Sequence, residues 1–76
     1  MAHVELDIID PDGDVFKASI IEHHLTFTII QRVGPGGGNP LVRFSGNRED
    51  LVAWITRYYA YDEQDAEDYS SYIEDQ

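Results

Sequence analysis

Apolar and polar positions along the chain follow two periods, and the place where one gives way to the other divides it. In residues 3–9, Val4, Leu6 and Ile8 alternate with His3, Glu5 and Asp7, the two-residue period of a half-buried strand. DPDG at 10–13 reads as a hairpin turn, because Pro11 presets φ, Asp12 tolerates the third position and Gly13 supplies the freedom that closes it. Residues 15–21 are then the expected partner strand, with Phe16, Ala18 and Ile20 on the apolar face and Lys17 and Ser19 opposite. After the polar break Glu22-His23-His24, a third strand carries Leu25, Phe27 and Ile29 against Thr26 and Thr28 and runs to Val33. Adjacent Ile29 and Ile30 break the alternation and predict a bulge. GPGGGNP at 34–40 predicts a flexible loop, since glycine and proline resist helix and central strand alike. A short fourth strand is expected at 41–44.

From residue 47 the period becomes helical. In NREDLVAWITRYYAY, residues 47–61, Leu51, Ile55 and Tyr58 recur at spacings of four and three, with Val52 and Tyr59 beside them and Trp54 on the flank. Asn47 is the expected side-chain cap, and Glu49 and Asp50 suit the positive end of the helix dipole. Residues 62–76 predict a second, shorter helix, with Ala66, Tyr69 and Ile73 inward, Tyr72 adjacent and the acids toward water. The expected fold class is α+β: a three- to four-stranded antiparallel sheet packed on one face by a C-terminal helix, followed by a short acidic second helix. Residues 1–76 form one domain, its β-region spanning 1–44. The outer sheet face keeps Glu5, Asp7, Lys17, Thr26, Thr28 and Arg32.

Charge changes this picture more than composition does. Fifteen acidic residues against five basic ones leave a formal charge of −10, which repels phosphate backbones and anionic lipid and so argues against direct nucleic-acid or membrane binding. Solubility or adaptation to high salt would also account for such acidity. A chain of 76 residues without cysteine has no disulfide and no thiolate metal site, and holds its fold by hydrophobic burial. No apolar run is long enough for a signal peptide or a membrane span, so a cytoplasmic protein is expected.

Side chains with catalytic or ligating potential do not converge in the sequence. Asp10, Asp12 and Asp14 resemble the start of a calcium loop, but Gly13 falls before the fifth position and no glutamate occupies the twelfth; a turn explains them. His23 and His24 are neighbours that a strand would point to opposite faces, and the 34–40 loop lacks the Gly-Lys-Ser/Thr ending of a phosphate loop. The serines have no evident base partner, so the expectation is a protein that is not an enzyme and carries no cofactor or metal. An RNA platform is disfavoured because the phenylalanines fall on the core face.

The acidic end does support a physical argument. Asp62, Glu63, Asp65, Glu67, Asp68, Glu74 and Asp75 fill residues 62–76 with no basic residue among them. A fifteen-residue helix spans roughly 22 Å, so its seven carboxylates would average about one per 3 Å, near the ~3.4 Å spacing of charge along one DNA strand. Tyr69 and Tyr72 would add contact area of the kind favoured at binding hot spots. With its strand-to-helix segment VRFSGNREDLVAWITRYY and its acidic end DEQDAEDYSSYIEDQ, the chain resembles small acidic phage-borne or mobile-element inhibitor proteins, anti-CRISPR proteins and other DNA mimics among them. That resemblance implies an inhibitor whose partner is a host protein or ribonucleoprotein with a basic nucleic-acid-binding groove, acting in the host cytoplasm. Such proteins share neither one fold nor one residue set, so nothing beyond the acidic surface carries over. The alternative expectation is a small structural or protein-interaction module, a homodimer through a strand edge or sheet face, whose acidity serves solubility or salt adaptation.

Overall fold

The computed structural model describes residues 1–75. A four-stranded antiparallel sheet carries three helices, an α+β architecture. Strand β1 (Ala2–Asp7) lies between β3 (Leu41–Gly46) and a two-residue β4 (Glu74–Asp75), and β2 (Thr26–Gln31) forms the far edge, in the order β2-β3-β1-β4. Val4 sits opposite Phe44 and Leu6 opposite Val42, while Phe27 and Ile29 of β2 face the same two residues of β3. This register gathers the alternating apolar positions onto one face, as the two-residue period requires. The expected irregularity at Ile29 and Ile30 is present as a register shift between Ile29 and Gln31.

Helices α1 (Asp14–Glu22) and α2 (Arg48–Trp54) cover that face. Phe16 of α1 meets Phe27, Phe44 and Trp54 edge-on with ring centres 5.0, 5.8 and 5.9 Å away, so one ring joins both helices to the sheet. Phe44, Leu51, Ile55, Val4 and Val42 are the largest fully buried side chains. Between the helices, the Trp54 indole N–H donates to Ser19 Oγ at 2.9 Å, and Ser19 Oγ donates to the Phe16 carbonyl at 2.6 Å. The one buried indole donor is thereby satisfied without water.

The first departure from expectation is α1 itself: residues 15–21 are helical, not the second strand of a hairpin. DPDG does turn the chain, with the Gly13 N–H bonded to the Asp10 carbonyl at 3.2 Å, but Gly13 then serves as N-cap of a helix instead of closing a hairpin. Phe16 and Ile20 satisfy a spacing of four as well as an alternation, and seven residues cannot separate the two periods. Only the helical form brings Ser19 beneath Trp54, and it leaves Ala18, expected in the core, exposed. The strand so lost is replaced from the far end of the chain by β4.

The second departure lies in the long helix expected over 47–61. Regular α-helix ends at Trp54, and Ile55–Tyr59 continue as one π-helical turn closed by the Ala60 N–H on the Ile55 carbonyl at 2.8 Å. Asn47 occupies the N-cap position, but its side chain makes no capping bond. The inward residues are Leu51, Trp54 and Ile55, with Tyr59 half-buried and Tyr58 exposed, so Trp54 holds the place assigned to Tyr58. In the 34–40 segment a single turn at Pro35–Gly37 depends on left-handed Gly36 and Gly37, at φ 69° and 78°.

Acidic α3 (Glu63–Ser70) packs its Ala66 and Tyr69 toward the π turn, Tyr69 meeting Tyr59 edge-on with ring centres 4.7 Å apart. It is eight residues long, so the fifteen-residue acidic rod does not form. The chain turns after Ser71 because Ile73, buried beside β1, draws Glu74 and Asp75 back onto the sheet edge opposite His3 and Ala2. Among the described residues no helix is long and apolar enough to cross a membrane.

Candidate functional site

A concavity of about 610 Å³ opens where the end of β1, the start of α1 and the π turn converge. Its floor is aromatic: Phe16, Trp54, Tyr58 and Tyr59. Trp54 and Tyr59 stack at 29° with centres 6.2 Å apart, and Trp54 and Tyr58 lie tilted at 36° and 5.9 Å. A π turn holds one residue more than an α turn, which lets Trp54, Tyr58 and Tyr59 all border the same hollow. Ile9 and Val15 stand at the mouth, each 83% exposed, where nothing in the fold covers them. Exposed aliphatic residues beside an aromatic hollow form the kind of patch that marks a contact surface.

Asp7, Asp10 and Asp14 set the charge of this groove, and among the described residues no basic one lines it. Asp7 accepts a hydrogen bond from the Tyr59 hydroxyl at 2.6 Å. Burial first, and then the bond to Asp7 and the nearness of its charge, push the Tyr59 phenol well above its ordinary value. Asp10 and Asp14 make no ion pair among the described residues. Asp12 does not join them; it turns outward to Arg32 at 2.7 Å. Asp10, Asp12 and Asp14 are therefore not gathered at one point, and among the described residues no cluster of three or more acidic or histidine side chains could hold a metal.

Tyr59, Asp7 and Asn39 also border a second hollow of about 290 Å³, lined besides by Glu5, Leu41, Tyr69 and Tyr72. Of the two tyrosines expected to contact a partner, Tyr69 is half-buried against Tyr59 and Tyr72 is exposed; both line this hollow.

The seven acids of the chain end divide into three sets. Asp62 caps α3, accepting from the Asp65 N–H at 2.9 Å, and Asp65 accepts from the Tyr61 N–H at 3.1 Å, so both are engaged in holding the helix start. Glu63, Glu67 and Asp68 are exposed on its outer side, with Asp68 accepting from the Gln64 amide at 3.3 Å. Glu74 and Asp75 lie on β4, where Glu74 stands 3.3 Å from His3 and Asp75 accepts from Arg48 at 2.8 Å. The Arg48 guanidinium holds the Asp75 carboxyl below its ordinary value. Every arginine is committed in the same way: Arg32 to Asp12, Arg43 to Glu5, Arg48 to Asp75 and Arg57 to Glu22. None of them reaches α3.

Sequence reasoning missed the groove. Ile9 and Val15 were the available signals, since each places an aliphatic side chain where the strand or turn pattern called for a polar one. Fold and site together define a small two-layer α+β protein with an anionic helix face and an acid-rimmed aromatic groove. No protein-family model, no curated protein and no solved structure matches this chain.

Proposed function

We propose that this protein is a non-enzymatic inhibitor that binds a basic, nucleic-acid-binding surface of a larger protein or ribonucleoprotein in the cytoplasm. The observation that carries the reading is the exposed trio Glu63, Glu67 and Asp68 on a helix to which no arginine extends, while all four arginines are neutralised elsewhere by carboxylates. Glu63 and Glu67 are one helical step of four apart, about 6 Å along the axis, close to twice the ~3.4 Å interval between charges on one DNA strand. The imitation is therefore a short segment of charge on α3, with Glu74 and Asp75 belonging to the sheet edge. Opposite fields speed the encounter of two such surfaces and make it sensitive to salt.

Capture from a bacterial lysate on the immobilised protein, with and without competing duplex DNA, tests the reading. Nucleic-acid-binding proteins should be retained, displaced by the DNA, and lost when Glu63→Gln, Glu67→Gln and Asp68→Asn are combined. Undiminished capture by that triple variant would remove α3 from the mechanism.

A second reading has its own observation. The edge strand β2, TFTIIQ, has neither the charge nor the proline that commonly guards a free edge, which favours pairing with a second copy of the chain. Light scattering separates the two, since a dimer that persists in half-molar salt and is broken by Thr28→Lys would favour the edge.

A further inference from the structure

We infer that the 610 Å³ groove is the seat of an arginine side chain flanked by apolar residues and presented by a basic protein partner. For the partner's being basic, this rests on the function proposed above; the site itself rests on the groove alone. The hollow has the volume of a site that encloses one side chain and part of its backbone, and is too small for a folded element. Tyr58 and Tyr59 border it with partly exposed rings, and Trp54, only 3% exposed, backs them from the core. Its mouth offers Ile9 and Val15 as loose apolar walls, and its rim carries Asp7, Asp10 and Asp14 with no cation among them.

Each feature selects part of the occupant. Aromatic faces attract a flat, weakly hydrated cation, and a guanidinium matches them better than an ammonium. One face of the Tyr58 ring is already taken by the Arg57 guanidinium, 5.2 Å from its centre, which leaves the Tyr59 ring and the acidic rim for an incoming one. Unpaired carboxylates on Asp10 and Asp14 can accept the forked N–H groups of arginine, an arrangement a neutral ligand cannot use. Ile9 and Val15, each 83% exposed, call for aliphatic neighbours on the ligand and exclude a fully hydrated polyamine as the best fit. An anionic ligand is refused by the rim, so the groove and the α3 face select the same sign of partner through different chemistry.

The test uses the purified full chain and the peptide Ac-Leu-Arg-Leu-NH2, read by amide NMR shifts and by fluorescence of Trp54, the chain's single tryptophan. The expected result is saturable binding at about 0.1–1 mM, with shifts confined to residues 7–16 and 54–59. Replacing arginine by citrulline, its neutral isostere, should weaken binding about tenfold, and Asp10→Asn with Asp14→Asn should do the same while leaving the thermal midpoint unchanged. Equal affinity for the citrulline peptide would overturn the proposal in favour of a simple apolar pocket. Equal or tighter binding of agmatine would overturn it in favour of a free small-molecule cation. Shifts centred on α3, or peptide binding lost in the α3 triple variant, would reduce the effect to the general field of the protein. Because that variant should keep the peptide shift whatever happens to capture from lysate, the two proposals can fail separately.

Discussion

The Tyr59 hydroxyl donates to Asp7 at 2.6 Å, tying the π turn to the end of β1 at the border of both hollows. This bond joins residues 52 positions apart, and it needs the phenol protonated. A phenol whose folded value is raised above the ordinary value of 10.0 contributes stability that is complete below that value and lost as pH rises through the folded one. Urea midpoints should therefore hold steady up to about pH 9 and fall above pH 10 more steeply in the native chain than in Tyr59→Phe. At neutral pH Tyr59→Phe should cost about 1 kcal/mol, read from the same denaturation curves.

The buried Trp54 indole N–H donates to Ser19 Oγ. Ser19→Ala should leave that N–H unpaired in an apolar layer and destabilise the fold by about 1–3 kcal/mol. The check is chemical denaturation followed by Trp54 emission. A loss far below 1 kcal/mol would mean that water or another group takes over the indole.

Ile73 draws the chain end back to the sheet. Ile73→Ala should cost about 2–4 kcal/mol and release Glu74 and Asp75, so that the Ala2 and His3 amides exchange faster with solvent. Asp75→Asn should have only a small effect, because the Asp75–Arg48 pair lies in water. Since Arg48 lowers the Asp75 value, what that pair contributes is present above the ordinary 3.8 and disappears as pH falls below it.

Gly34 and Gly36 make a contrasting pair in the same loop. A Cβ on Gly34 would run into the Asn39 backbone carbonyl, whereas one on Gly36 would meet open space and be opposed only by the left-handed φ of 69°. Gly36→Ala should cost about 1–2 kcal/mol and Gly34→Ala more, measured as the difference between the two midpoints.

These comparisons also show what could be read from the letters alone. The alternation of Val4, Leu6 and Ile8, and of Phe27 and Ile29, sets which face of the sheet is turned to the core, and that much was legible in the letters. Residues 15–21 were not legible, since Phe16 and Ile20 suit either period and the deciding partner, Trp54, lies 35 positions from Ser19. The acidic segment was legible as charge but not as shape. The return of the chain to β4 depends on the burial of Ile73 against β1, a long-range packing preference that no local pattern expresses. The groove was hidden for the same reason, as its walls come from residues 7–10, 13–16, 19, 39, 54, 58 and 59.

The π turn at Ile55–Tyr59 is, in register terms, a regular helix with one residue too many. Removing a single residue there would wind the segment back into ordinary α-helix and swing everything after it by about 100° around the axis. Tyr59 would then point away from Asp7, and the docking angle of α3 would change with it. A one-codon deletion in this stretch is thus a far larger event than any side-chain replacement, and it would separate the two charged faces of the molecule from each other without altering either one's composition.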